Sequence, residues 1–150
     1  MKILVVSYSR SGNTKKIAEQ IAKKLDADFD EVIDMKDRHR KIIGWLIAGK
    51  DAMAKEKTEI KYKKDPTEYD LVIVGTPIWA WTMTPAIRTY LTENKFSEVA
   101  FFCTYGWNKW KSFEEMELLS KKPIATLELI DKLIEKNQIQ RNVDDFCKKL

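Results

Sequence analysis

The sequence predicts an α/β fold in which a five-stranded parallel sheet, in the order 2-1-3-4-5, lies between two layers of helices as a three-layer sandwich. Three observations carry this. Short apolar, β-branched runs (Ile3 to Val6, Leu71 to Val74) alternate with segments whose apolar residues recur at helical spacing, the pattern of strands buried on both faces and joined by helical crossovers. A polar strand, Ala27 to Ile33 with Asp28, Asp30 and Glu31, belongs at an edge and leaves the first and third strands in the centre. Residues capable of binding chemistry gather after strands one, three and four, where right-handed crossovers bring the loops side by side at the strands' carboxyl ends.

The first strand passes through a hydroxyl-rich turn into an amphipathic helix, with Ile17, Ala18, Ile21, Ala22 and Leu25 on one stripe and lysines and polar residues between them. The turn, Ser7 to Thr14, supplies Ser7, Ser9, Ser11 and Thr14 hydroxyls, the Asn13 amide, a flexible Gly12 and the cation of Arg10. It sits where a helix presents unpaired N–H groups and the positive end of its dipole, so a phosphate is the natural guest. A single capping residue, Ser11 or Asn13, would suffice to close the helix, and the run is longer than capping needs. The nucleotide loop G-x-x-x-x-G-K-[ST] and the dinucleotide fingerprint G-x-G-x-x-G are absent from this turn. No cysteine precedes Cys103, so the turn lacks a thiolate nucleophile and is expected to hold a phosphate without cleaving it.

After the edge strand, Lys41 to Ala54 reads as a second helix with Ile42, Ile43, Leu46, Ile47, Met53 and Ala54 on its stripe and Trp45 to the side. Asp65-Pro66 breaks the chain before the third strand, and Gly75 to Trp81 (GTPIWAW) follows as a second informative loop. Thr84-Pro85 opens a third helix with proline at its first position. Val99 to Cys103 forms the fourth strand and ends in a third loop, Thr104 to Lys111. Ser112-Phe-Glu-Glu115 has the spacing of a capping box for the fourth helix. Ile124 to Leu129 is the fifth strand, and Ile139, Val143, Phe146, Cys147 and Leu150 mark the last helix.

Composition narrows the class. At 150 residues and 44% apolar content the chain suits one domain with a full core, residues 1–150. No apolar stretch is long enough to span a membrane and no signal peptide is visible, so a cytoplasmic location is expected, with no membrane partner. Cys103 and Cys147 fit packed, reduced thiols, and His39 is the only histidine, which leaves neither a zinc cluster nor a histidine-based catalytic pair. The net charge of +4 concentrates between Lys36 and Lys64, which hold ten basic residues against four acidic. Scattered lysines without a recognisable module argue against nucleic acid.

Four of the five tryptophans (Trp79, Trp81, Trp107 and Trp110), with Tyr105, fall in the second and third loops, at the same end of the sheet as the phosphate turn. Aromatic faces beside a phosphate site point to a flat, conjugated ligand. Closure over the loops, or contact with a partner protein, is the other reading of such rings, and it is preferred for Trp110.

The segments SYSRSGNT, YDLVIVGTPIWAWTMTPAIRTYL, VAFFCTYG and FEEMELLSKKPIATLEL together resemble the flavodoxin family along the whole chain. Flavodoxin is itself the standard illustration of the 2-1-3-4-5 order with a flavin at the switch between strands one and three, so the ligand's placement there comes from the family. The resemblance implies that Ser9, Arg10, Ser11, Gly12, Asn13 and Thr14 hold the phosphate of FMN. It places Thr76, Pro77, Ile78, Trp79 and Ala80 along one side of the ring and Thr104, Tyr105 and Gly106 along the other, with Trp107 at the flank. Relatives often carry glycine where this chain has Trp81 and Trp107, so the two indoles are expected to narrow the pocket, cap the ring or exclude flavin altogether. Electron-carrying flavodoxins are typically acidic, and this chain is basic.

Three functions follow from the resemblance. The first is an FMN electron carrier that serves a redox partner protein. The second is an FMN-dependent NAD(P)H oxidoreductase acting on quinones or similar small acceptors. The third is a non-redox binding module on the same fold, since fold alone does not fix function.

Overall fold

A computed structural model of the chain describes residues 1–36 and 58–150. The second helix expected over Lys41 to Ala54, with Trp45 and His39, lies outside the described residues.

Five parallel strands form the central sheet: β1 (Ile3–Ser7), β2 (Asp28–Glu31), β5 (Leu71–Trp79), β7 (Glu98–Tyr105) and β8 (Thr126–Ile130), in the order β2-β1-β5-β7-β8. This is the expected 2-1-3-4-5 arrangement. Two short additions lie beyond that expectation. β3 (Ile33–Asp34) pairs antiparallel with β4 (Ile60–Lys61), and β6 (Thr82–Met83) folds back antiparallel on the end of β5. Among the described residues the α-helices are α1 (Asn13–Leu25), α2 (Pro85–Glu93), α3 (Ser112–Leu119), α4 (Asp131–Glu135) and α5 (Gln140–Cys147).

The alternation of side chains along the central strands builds two cores, one on each face. Leu4, Val6, Val72, Val74, Val99 and Phe101 face α2 and α3, where they meet Ile87, Tyr90, Leu91 and Met116. Val5, Leu71, Ile73, Ala100 and Phe102 face α1 and α5, against Ile17, Ile21, Val143 and Phe146. Burial on both faces is the reason these runs read as continuous apolar stretches instead of alternating ones. β8 is one-sided. Leu127 and Leu129 point into the second core and Thr126 and Glu128 into solvent. Gly75 makes room for this packing, because a Cβ there would lie 1.9 Å from the Phe102 ring.

The acidic residues of β2 hold the returning chain against the sheet edge. Asp30 is buried, and its carboxylate accepts from the N–H groups of Lys63 and Lys64 at 2.7 Å each and of Glu31 at 2.9 Å. Asp28 accepts from the Tyr69 hydroxyl at 2.6 Å, which lowers the pKa of the carboxyl, while burial first and this bond second push the Tyr69 phenol up to about 12. The edge strand is thus covered, as an edge requires.

Candidate functional site

β1 ends at Ser7, opposite Gly75 of β5, and β5 continues beyond that point to Trp79. A crevice therefore opens at the switch between the first two central strands, with the turn from Tyr8 to Gly12 on one side and the β5 extension on the other. Gly12 has φ +100°, a left-handed conformation that glycine adopts without strain, and it starts α1 with no capping side chain. Neither Ser11 nor Asn13 caps the helix. Lys16 donates the turn-closing bond to the Gly12 carbonyl at 2.9 Å, so the N–H groups ahead of it keep the positive end of the dipole turned toward the loop.

Side chains shape this turn from within. The Gly12 N–H donates to Ser9 Oγ at 3.1 Å, which folds the loop on itself. Thr14 and Thr104 share a buried hydroxyl–hydroxyl hydrogen bond of 2.8 Å that ties the turn to the end of β7. Asn13 Nδ2 donates to Asp131 Oδ1 at 3.3 Å, bringing the start of α4 to the same place. Ser7 Oγ, at the root of the turn, is buried with no hydrogen-bond partner among the described residues.

A cavity of about 720 Å³ occupies the crevice. Arg10, Ser11 and Asn13 line it from the turn, Pro77, Ile78 and Trp79 from β5, and Thr104 and Gly106 from the end of β7. The remaining residues named from the sequence take other places. Ser9, Gly12 and Thr14 shape the turn. Thr76 is fully buried and accepts from the Thr84 N–H at 3.2 Å, so it fixes the entry to α2. Ala80 belongs to a tight turn, Tyr105 is the last residue of β7, and Trp107 lines a different cavity.

Asp131 and Glu135 complete the lining, and sequence reading missed both. Burial raises the Asp131 pKa above the ordinary carboxyl value, Glu135 adds to that, and the bond from Asn13 opposes it. The available signal was positional. Asp131 directly follows the fifth strand, at the carboxyl edge where the other loops lie. Cys103, beneath the site in β7, is fully buried and its thiol is pushed up by desolvation, so it offers no thiolate to the cavity.

The segment expected as a loop, Gly75 to Trp81, is for most of its length strand. Trp79 pairs with Thr82 across a two-residue turn, Ala80-Trp81, with φ of 47° and 68°. Positive φ at both turn positions matches the right-handed twist of the strands, and Asn-Gly is its usual sequence. Trp79 is 9% exposed, packs edge-on against Tyr8 at 5.5 Å and belongs to the core as well as to the cavity wall.

Trp81, Trp107 and Trp110 are 52%, 86% and 60% exposed and, with Asn108, line a second cavity of about 500 Å³. A buried network fixes the two loops that carry them. Arg88, 8% exposed, donates through Nη2 to Thr82 Oγ1 at 3.0 Å and to Glu115 Oε2 at 3.1 Å, and the Thr82 hydroxyl donates to Glu115 Oε2 at 2.6 Å. Glu115 is therefore engaged with Arg88 and does not close a capping box. Ser112 does not cap either. Its hydroxyl donates to the Lys109 carbonyl at 2.5 Å with the Trp81 carbonyl 3.4 Å away, and no side chain caps α3.

A doubly wound sheet with a phosphate-receptive turn at its switch point defines a class of α/β ligand-binding proteins. The family model described as flavodoxin matches residues 2–150, and the chain belongs to the flavodoxin family. Among solved structures it is similar to a flavoprotein in complex with FMN from Lactobacillus acidophilus, with 28% identity over 90% of this chain and 97% of that one and a TM-score of 0.70. The apo form of the flavoprotein from the same organism superposes with a TM-score of 0.65 at 28% identity, covering 90% of this chain and 95% of that one. An apo NADH:FMN oxidoreductase shares the fold at 13% identity, over 100% of this chain and 90% of that one, with a TM-score of 0.60. No curated protein sequence matched the chain.

Proposed function

We propose that this chain is a redox flavoprotein that binds FMN with its phosphate in the turn from Ser9 to Thr14 and its ring in the crevice between β5 and the end of β7. The observation that carries the reading is the uncapped α1 with Gly12 in a left-handed conformation, beside a cavity bordered by Arg10, Ser11 and Asn13. The donor set fits a phosphate: helix N–H groups, hydroxyls and a guanidinium. Pro77, Ile78 and Trp79 offer an apolar wall of the kind a flat ring needs. When bound, FMN supplies electron uptake and release in one- or two-electron steps.

The purified protein, incubated with FMN and desalted, is expected to keep flavin absorption bands and to prefer FMN over riboflavin when flavin fluorescence is titrated. Charge-assisted hydrogen bonds contribute roughly 1.5 to 3 kcal/mol each, so a preference of tenfold or more is expected. Equal affinities would remove the phosphate assignment, and a colourless protein would favour a binding module without redox chemistry.

Two finer roles divide this reading. An electron carrier needs only an exposed ring edge, whereas an oxidoreductase needs space for a second molecule. The second cavity, lined by Trp81, Trp107 and Trp110, supports electron exchange with a small molecule. Steady-state oxidation of NADH and NADPH with a quinone acceptor separates the two. Turnover by the FMN-loaded protein is expected, and its absence with both nucleotides would favour the carrier.

A further inference from the structure

Stability alone does not account for Arg88. It is 8% exposed and stands four residues after the Thr84 cap of α2, near the positive end of the helix dipole, where a cation is disfavoured. Its partner is Glu115 of α3, with Nη2 3.1 Å from Oε2 and both side chains largely out of water. Desolvation of two charges offsets most of their attraction, and apolar residues of similar volume often serve a fold as well or better.

A third group closes the pair. Thr82 Oγ1 accepts from the same Arg88 nitrogen at 3.0 Å and donates to the same Glu115 oxygen at 2.6 Å. Thr82 stands in β6 opposite Trp79 of β5, and Trp79 lines the cavity beside the turn from Ser9 to Thr14. Two steps therefore lead from Arg88 to the cavity wall: a charge-assisted hydrogen bond to Thr82, then the hairpin pairing of Thr82 with Trp79. Left to itself this hairpin is weak. β6 is two residues long, and the turn before it holds Ala80 and Trp81 at positive φ.

We propose that Arg88, acting with Glu115 through the Thr82 hydroxyl, is the positioning residue of the crevice's β5 wall: it holds Trp79 where the flat ring of the ligand packs. Arg88 itself does not line the cavity. The proposal rests on the FMN reading above for the identity of the ligand, and on the hairpin alone for the positioning.

The wall and the phosphate turn are separate determinants of binding. Loosening the hairpin moves the surface that the ring meets and leaves Arg10, Ser11 and Asn13 in place, so a preorganised contact common to every flavin is lost. FMN and riboflavin should then weaken together. A defect in the turn would act on FMN alone.

The test compares wild type with Thr82→Val, Thr82→Ser and the double variant Arg88→Met, Glu115→Met. Valine keeps the β-branched shape and the ion pair and cuts only the tie between them. Serine keeps the hydroxyl. The double variant replaces the pair by apolar side chains and is expected to melt at or above the wild-type temperature. Flavin fluorescence titrations should show Thr82→Val and the double variant binding both FMN and riboflavin about fivefold more weakly, with the ratio of the two affinities unchanged. Thr82→Ser should bind as wild type does. Hydrogen exchange over Ile78 to Met83, read by mass spectrometry on the FMN-free protein, should be faster in the two weakened proteins and unchanged in Thr82→Ser.

Wild-type flavin affinity in Thr82→Val or in the double variant overturns the proposal, since the pair would then serve the fold alone. A loss confined to FMN also overturns it, by placing the effect in the phosphate turn, and so does a serine variant as weak as the valine one. Should the double variant fail to fold, the valine and serine variants decide. Failure of wild type to bind either flavin, with the hairpin still loosened in Thr82→Val, would count against the FMN reading and leave the positioning role standing.

Discussion

Asp131 places a carboxylate on the wall of the cavity that the proposed phosphate turn also lines, and that proximity has measurable consequences. Burial is the main cause of its raised pKa, so the folded protein holds this proton more tightly than the unfolded chain does. Its contribution to stability is therefore fully present below the unfolded pKa and is lost as pH rises through the folded one. The same charge acts on a phosphate in the turn. Asp131→Asn keeps an oxygen to accept the Asn13 amide and removes the negative charge. Like charges several ångströms apart at a half-buried site interact by roughly 1 kcal/mol, so the variant should bind FMN about fivefold more tightly and riboflavin no differently. Ser11→Glu is the converse experiment. It adds a like charge in the turn and should abolish the preference for FMN. Fluorescence titration of both ligands reads each outcome, and equal changes for FMN and riboflavin would show that Asp131 acts on some part of the ligand other than its phosphate.

At the scale of elements, the β5–β6 hairpin is where local preference and the observed structure disagree most. Its two-residue turn calls for residues that tolerate positive φ, and the chain supplies Ala80 and Trp81. Trp81→Gly should stabilise the fold by roughly 0.5 to 1 kcal/mol, the left-handed penalty less the extra freedom of glycine in the unfolded chain. A higher urea midpoint with an unchanged m-value is the expected result, and a lower midpoint would show that the half-exposed indole contributes more by packing than its backbone costs. This hairpin also marks the boundary of what the sequence made legible. Ile3 to Val6 and Leu71 to Val74 could be read as central strands because both faces are buried and every residue is apolar. GTPIWAW could not be read as strand, because Gly75, Pro77 and a turn without glycine mask an extension whose partner is its own continuation. Ser112 and Glu115 have the spacing of a capping box, and tertiary partners take both side chains: the Lys109 carbonyl and the Arg88 guanidinium lie far from local pattern rules. The turn from Ser7 to Thr14 was legible as a candidate site because its chemistry is local to eight residues. Asp131 was not, because only the fold brings it to Asn13 from 118 positions away.

On the scale of the whole molecule, the sheet separates two cores, and the crevice opens at the carboxyl end of its strands with Trp79 of one core in its wall. A ligand seated there touches the turn before α1, the end of β5 and the end of β7 at once, so binding is linked to global folding and not to one loop. Among the described residues no helix is long and apolar enough to cross a membrane. The described free thiols, Cys103 and Cys147, are both buried. A ligand that binds only the folded state adds RT ln(1 + [L]/Kd), about 2.7 kcal/mol at one hundred times Kd. For a chain of this size each kcal/mol moves the melting temperature by about 2 to 4 °C, so saturating FMN should raise Tm by roughly 5 to 10 °C. Riboflavin at the same concentration should raise it by much less, since it lacks the phosphate proposed to sit in the turn from Ser9 to Thr14. Raising the salt concentration should shrink the FMN shift only modestly, because the N–H groups of a helix start are fixed in place and partly shielded from screening. A melting temperature that FMN leaves unmoved at concentrations where free flavin is in large excess would show that the crevice does not take the cofactor, whatever the fold's kinship.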